Sequence, residues 1–259
     1  MKPTDLTDFI EDLSKPVTIH SPDHPFRSGA LLEFAEPIPY SEAWRLQKRL
    51  HEERVVDRRP DTLLLLEHLP VYTAGRTTQP AHWSGGEENL SQAGAQIHPV
   101  DRGGSITYHG PGQLIGYPIV RLTHHASGPR QYVRLLEDVI IDTLRSWGIE
   151  GYRVDKKPGV WVELDGQEAK IAALGVRIER GVTLHGFALN VEMDLSPFSR
   201  IVPCGLTGCR MTSMAEALGS TVSLPAVRSV VQQTFSHVFN LEWTSVMSGL
   251  LAETVRGEA

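Results

Sequence analysis

The chain carries only two cysteines, Cys204 and Cys209, in 259 residues. Two are too few for a disulfide framework, and a chain of this length has enough apolar material for a core that needs neither disulfide nor metal to hold it. No apolar run approaches the roughly 18 residues of a membrane span. The opening residues, Met1 to Phe9, include acidic side chains and no apolar stretch of signal-peptide length. Positive charge is not in excess either: the net charge is -6, which argues against a protein that offers its whole surface to nucleic acid. These absences point to a cytoplasmic protein with both thiols reduced and no membrane or nucleic-acid partner.

Several catalytic motifs are missing as well. There is no Gly-x-Ser-x-Gly elbow of a serine hydrolase. There is no phosphate-binding Gly-x-x-x-x-Gly-Lys-Ser/Thr and no His-Glu-x-x-His. Gly110-Pro111-Gly112 lacks the third glycine of a dinucleotide-binding turn and precedes a strand, not a helix. His124 and His125 have no acidic or cysteine partner at a ligand spacing, so they read as surface residues and no metal site is expected. Internal repeats and low-complexity segments are absent too.

What is present suits one sizeable globular domain, or at most two, with 41% hydrophobic and 22% charged residues. Residues 1–28 read as an irregular leader, with Pro16, Pro22, Pro25 and a short helix at 4–14. Residues 29–243 read as a single catalytic domain, and 244–259 as a weakly ordered tail. Ala30–Phe34 is a short strand. A helix opens at Pro39 and Ser41 and runs to about Arg58, with a moderate stripe of Ala43, Leu46 or Gln47, Leu50 and Val55. Thr62–His68 is an unalternating apolar run, as a strand covered on both faces requires. A Gly/Glu/Gln-rich loop fills 78–96. Val133, Leu136, Ile140, Leu144 and Trp147 recur at helical spacing and stop at Gly148.

Val160–Leu164 and Glu168–Ala172 flank Asp165-Gly166, a strong hairpin signal. A two-residue loop pairs Trp161 with Lys170 but sets Glu163 opposite Glu168, a like-charge cost that leaves a longer loop through Gln167 open. Arg180-Gly181 turns the chain again, and Val182–Val191 returns. Ser213-Met-Ala-Glu216 is a capping box that starts a short helix ending at Gly219, and Pro225 opens the last helix. The expected fold class is mixed α/β, with a largely antiparallel sheet and flanking helices.

The chemistry concentrates in Arg102 to Pro118, which packs five glycines, two prolines, two tyrosines, one arginine and one histidine into 17 residues. That composition is poor for a core and good for bringing main-chain N–H groups close to a ligand. Tyr72-Thr-Ala-Gly-Arg76 ends a strand in a Gly-Arg loop; Arg76 is either a fixed donor fork or part of an ordinary turn. Cys204 lies between Pro203, which stiffens the chain, and Gly205, which lets N–H groups face an oxyanion. Its thiol would need a cationic neighbour to become a thiolate at neutral pH. Lys170, alone among small and apolar residues in a strand, either faces solvent or is held for a purpose. Cys209 lacks the Pro/Gly setting. Arg45, Lys48, Arg49, Arg54, Arg58 and Arg59 could form a docking patch for an acidic partner, although a solvated helix face is the plainer reading.

These segments together resemble the octanoyltransferase family, over about residues 60 to 220. Arg102, Gly103, Gly104, Thr107, Tyr108, His109, Gly112, Gln113 and Tyr117 match its first motif, and Tyr72, Thr73, Gly75 and Arg76 a segment before it. The family's Lys-Ile-Ala-x-Leu-Gly begins here at Lys170, its His-Gly-x-Ala-Leu-Asn at His185, and its Pro-Cys-Gly holds Cys204. The resemblance implies the fold of biotin and lipoate protein ligases. It implies transfer of an octanoyl group from octanoyl-acyl carrier protein to a lysine of lipoyl domains, those of 2-oxoacid dehydrogenases and the glycine cleavage H protein, with no cofactor. It makes Cys204 the nucleophile and Lys170 its partner, whose pKa apolar neighbours would pull down. It lines the acyl pocket with Arg102, Gly103, Gly104, Ser105, Ile106, Thr107, Tyr108 and His109, with Ala173, Leu174 and Gly175, and with Gly186, Phe187 and Ala188. The glycines and alanines would make room for the chain, Tyr108 and His109 would close or polarise its head, and Arg76, Gln113 and His185 would support the site. Two rivals are an ATP-dependent lipoate or biotin ligase, which would not need the cysteine, and a non-catalytic acyl-binding protein, which would not need an activated thiol.

Overall fold

The computed structural model describes residues 26–83, 96–206 and 208–249. The leader helix expected at 4–14, most of the loop expected over 78–96 and the end of the tail lie outside the described residues. No helix among those described is long and apolar enough to cross a membrane.

The elements in chain order are β1 (Arg27–Phe34), α1 (Tyr40–Val55), β2 (Asp61–Leu66), β3 (Val71–Ala74), β4 (Gln96–Pro99), β5 (Ile106–His109) and β6 (Gln113–Ile119). Then come α2 (Pro129–Ser146), β7 (Tyr152–Val154), β8 (Lys157–Leu164), β9 (Gln167–Glu179) and β10 (Val182–Asn190). The last are β11 (Arg210–Met211), α3 (Met214–Leu218), α4 (Leu224–Phe239) and β12 (Leu241–Gly249). The main sheet runs β12-β1-β2-β6-β10-β9-β8-β7, with β11 also paired to β9; β4-β3-β5 form a small second sheet. From β2 to β7 neighbours are antiparallel, whereas β12, β1 and β2 are parallel.

Why the leucines of β2 run without alternation is visible in their packing. Leu63 and Leu65 join a core under α2 and α4, and Leu64 and Leu66 join a second core under α1. Side chains alternate across a strand, so four consecutive leucines, Leu63 to Leu66, suit a strand sandwiched between helix layers. On α2 the buried face is Tyr132, Leu136, Val139, Ile140 and Leu144. On α4 it is Val227, Val231, Phe235 and Phe239, with the rings of Phe235 and Phe239 stacked at 4.1 Å. The face of α1 is more polar: Gln47, His51 and Arg54 are buried beside Leu46 and Leu50.

The hairpin β8–β9 takes the two-residue loop. Asp165 and Gly166 both have positive φ, 53° and 72°, as a type I′ turn requires, and Trp161 faces Lys170 with Glu163 opposite Glu168. Lys157 on β8 approaches Glu168 at 3.2 Å and offsets that like-charge pair. At the end of the chain β12 runs through Gly249, beyond the boundary drawn at 243 for an ordered domain, because it adds a parallel strand to the open edge of β1.

Candidate active site

The glycine-rich segment from Arg102 to Pro118 contains a strand ahead of β6. Ile106–His109 is β5, which pairs antiparallel with β3 so that Tyr108 faces Tyr72. Alternation then divides the motif. Thr107 and His109 line a cavity of about 160 Å³, whereas Ile106 and Tyr108 turn the other way into an apolar cluster with Tyr72, Phe198 and Ile201. The placement of Ile106 and Tyr108 in the pocket wall is thus corrected, and Tyr108 packs edge-on against Phe198 instead of closing the cavity. The cavity is well below the about 300–1,000 Å³ of a drug-sized site.

Arg102, Gly104 and Ser105 line it from the loop, Lys170, Ala173, Leu174 and Gly175 from β9, and His185, Gly186, Phe187 and Ala188 from β10. Gly103 and Arg76 do not; they lie together on an outer face near Asp101 and Arg177, with Arg76 exposed. Several lining residues carried no signal in the sequence reading: Tyr40 at the start of α1, Lys156 to Pro158 from the β7–β8 turn, and Leu206. Tyr117, matched there only as part of a motif, also lines the cavity.

Arg102 is the buried charge of the site. One Nη donates to the carbonyl and hydroxyl of Thr73 at 2.8 and 2.9 Å, the other to the Gly103 carbonyl at 3.0 Å. Its guanidinium fits only because Gly75 and Gly175 lack side chains. A Cβ at Gly75 would come 2.8 Å from Nη1 and one at Gly175 2.9 Å from Cδ. Gly175 therefore makes room for Arg102. Likewise the Phe187 ring lies over Gly116, where a Cβ would come 2.7 Å from the ring's Cε2.

Around Arg102 stand three neutral histidines. His109 donates from Nδ1 to the Gln113 carbonyl oxygen at 2.8 Å and accepts at Nε2 from Thr73 at 3.3 Å. Gln113 is fixed in turn by donating to Asn190 at 2.9 Å. Burial holds His109 well below its ordinary pKa, and a proton on neighbouring His68 would lower it further. His68 donates to the Ile38 carbonyl and accepts from the Tyr117 hydroxyl at 2.8 Å, and burial lowers it to about 4. His185 has a left-handed φ of 57°, stacks on Trp44 at 4.8 Å and donates to Asp101 at 2.8 Å. Burial, then Arg102 and Arg177, lowers it to about 3, because Arg177 already neutralises Asp101. The Tyr40 hydroxyl, buried in the cavity wall, has no hydrogen-bond partner among the described residues.

Lys170 is 1% exposed, so the strand position holds it inward. Its Nζ stands over the Trp161 ring at 4.9 Å, and a Cβ at Gly159 would come 2.7 Å from its Cε. Cys204 occupies a single 3-10 turn, Pro203–Gly205. Gly205 has φ 70°, and a side chain there would come 3.1 Å from His82 and 3.5 Å from Ser105. The Val202 N–H donates to the His82 carbonyl at 2.9 Å. His82 was not noticed in the sequence, since it lies in no motif. Its Nδ1 accepts the Gln79 N–H at 3.2 Å and meets the Ser105 hydroxyl at 2.6 Å, which binds the cysteine turn to the cavity loop. Cys209 is half-buried in a separate depression with Phe198 and Ile201. His124 is exposed, as expected, and lies 3.8 Å from Asp61, whereas the His125 side chain is buried and bonds the buried Asp61 at 2.6 Å.

Residues 39–236 match the lipoyl protein ligase A/B catalytic domain. An octanoyltransferase of Thermobifida fusca is 48% identical over 206 residues, 78% of this chain and 84% of that one. One from Mycobacterium leprae is 45% identical over 214 residues, 80% and 88% of the two chains. Among solved structures, a bipartite lipoate protein ligase from Thermoplasma acidophilum superposes with a TM-score of 0.63 at 17% identity, covering 87% of this chain and 88% of that one. A lipoate-protein ligase A bound with ATP gives 0.61 at 17% identity, with 87% and 90% covered. The fold is that of the lipoate protein ligases, and the chain belongs to the octanoyltransferase family.

Proposed function

We propose that this enzyme transfers an octanoyl group from octanoyl-acyl carrier protein to a lysine of a lipoyl domain, through a thioester on Cys204. Octanoyl transfer follows from family membership. The observation that carries the detailed reading is Lys170, a lysine buried in the wall of a small cavity whose rim is tied through Ser105 and Leu206 to the cysteine turn.

Lys170 takes the Cys204 proton, and the thiolate attacks the donor thioester carbonyl. The bond to the carrier sulfur breaks, and the departing thiol takes its proton from Lys170. Thioester exchange is close to balanced in energy, so the step needs positioning more than driving force. The neutral amine of the acceptor lysine then attacks the acyl-enzyme. A C–N bond forms, the Cys204 sulfur leaves, and Lys170 carries the amine proton back to it. Amide formation from a thioester runs downhill without ATP. Burial of roughly six methylenes at about 0.8 kcal/mol each contributes about 5 kcal/mol before ordering costs.

The test is intact-protein mass spectrometry after mixing with octanoyl-carrier protein. A single octanoyl adduct, labile to hydroxylamine and absent in Cys204→Ser, is expected. Continued octanoylation of a lipoyl domain by the mutant, or a requirement for ATP, would overturn the covalent route.

A further inference from the structure

Beside the cavity lies a groove of about 390 Å³ between the first turns of α2 and the β7–β8 turn. Lys156, Lys157 and Pro158 belong to the walls of both, so the groove adjoins the cavity mouth. Its floor is partly apolar, with Val133 and Val154, and its rim is basic: Arg130, Arg134, Arg153, Lys156 and Lys157 stand against Glu137 and Asp155.

The pairing of these charges decides what the rim can do. Arg153 is committed to Glu137 at 2.8 Å and Asp138 at 2.6 Å, and Lys157 to Glu168 at 3.2 Å. Glu137 is occupied further by the Gly159 N–H at 3.1 Å. Arg130 and Arg134 are exposed and make no ion pair with the described residues. Lys156 is 90% exposed, with Asp155 at 4.0 Å and as open to water, an arrangement worth little. Three cations are therefore left to meet a partner, on a chain of net charge -6.

The basic run on α1 is different. Arg49 and Arg59 are paired with Glu53, and Arg54 with Asp57 and Asp61. Half of the patch considered in the sequence is thus consumed inside the protein.

The geometry points to the groove as the docking surface for the acidic face of the acyl carrier, an inference that rests on the transferase reading above. A carrier delivers its thioester on a long arm, so its body must rest to one side of the mouth through which the acyl chain enters. Arg130, Val133 and Arg134 follow one face of α2 along the groove, over about 6 Å at the rise of a helix. Arginine forks suit carboxylates. Unpaired charges at a rim steer encounter and are screened by salt, and they act on binding more than on the chemical step.

The experiment compares wild type with Arg130→Glu/Arg134→Glu, two exposed positions outside the reaction machinery, using octanoyl-carrier protein and octanoyl-pantetheine as donors. The double variant is expected to raise KM for the carrier about tenfold or more at low ionic strength, with kcat within twofold. Its salt dependence should flatten, and its kinetics with octanoyl-pantetheine and with the lipoyl-domain acceptor should be unchanged. Arg130→Gln/Arg134→Gln should fall in between. An unchanged carrier KM, an equal loss with both donors, or a change confined to the acceptor KM would overturn the docking surface. If wild type transfers from octanoyl-pantetheine but not from the carrier, docking fails while the transferase reading stands. Failure with both donors removes the transferase reading itself.

Discussion

Asp61, at the head of β2, and Arg102, at the head of the cavity loop, are both buried charges, but they are satisfied in different ways. Asp61 receives Arg54 at 2.6 Å, His125 at 2.6 Å and the Arg121 N–H at 2.8 Å. Burial pushes its pKa up, and the hydrogen bonds from His124 and His125 with the Arg54 charge overcome this and hold it well below the carboxylate range. Arg102 donates to the carbonyls of Thr73 and Gly103 and to the Thr73 hydroxyl, and stands near His109 and His185, whose pKa values are lowered. The first region cancels its charge and locks α1, β2 and the chain before α2 together. The second holds its charge in the cavity wall on main-chain carbonyls and a hydroxyl.

The comparison breaks first on activity. Lys170→Met should cut octanoyl transfer by about 10³-fold, within the range of a lost general acid–base, with thermal unfolding almost unmoved; a loss under tenfold in a single-turnover assay would deny Lys170 its proton role. Next comes stability. Asp61→Ala takes from Arg54 and His125 their shared buried carboxylate, and a broken buried pair costs about 3–5 kcal/mol. Denaturant unfolding should show that loss while the folded fraction keeps its kcat; a parallel fall in kcat would mean that the two regions are coupled.

Acid sharpens the contrast further. His68 binds no proton in the native state until about pH 4, whereas the unfolded chain protonates near 6.5. The unfolded state therefore binds more protons in this window, and stability falls as pH is lowered through it. His68 alone accounts for about 3 kcal/mol of that fall, and unfolding followed from pH 7 to 4 measures it. Replacement by Gln should flatten the profile. The smallest effect concerns Tyr40→Phe, which removes a buried hydroxyl that has no partner among the described residues. Stability should be unchanged or higher by up to about 1 kcal/mol, and a rise in KM for an octanoyl donor would show that the hydroxyl meets substrate.

Local signals in the sequence carried a good part of this. Asp165-Gly166 specified a turn whose twist matches the strands, and with it the pairing of Trp161 and Lys170. The stripe on α2 and the leucines of β2 declared their burial by spacing. Ile106 and Tyr108 were misplaced although alternation within a four-residue strand could have separated them from Thr107 and His109; the glycines around that segment hid the strand. Tyr40, Leu206 and Lys156 reach the cavity through contacts between distant elements, which no local pattern records. The parallel seam of β12 on β1 joins residues more than 200 apart in sequence, so its existence depends on the fold being complete. His82 is similar, tied to the cysteine turn by tertiary hydrogen bonds alone.

The Phe187 ring over Gly116 restricts how the cavity can change by inheritance. A side chain cannot appear at 116 while phenylalanine remains at 187, yet shrinking 187 first opens a void in the apolar core it joins. The two positions are epistatic: each substitution is harmful alone and tolerable in company. A descendant with this wall remodelled would therefore reach it through one order of mutation, loss of the ring before gain of the methyl, with a less stable intermediate between.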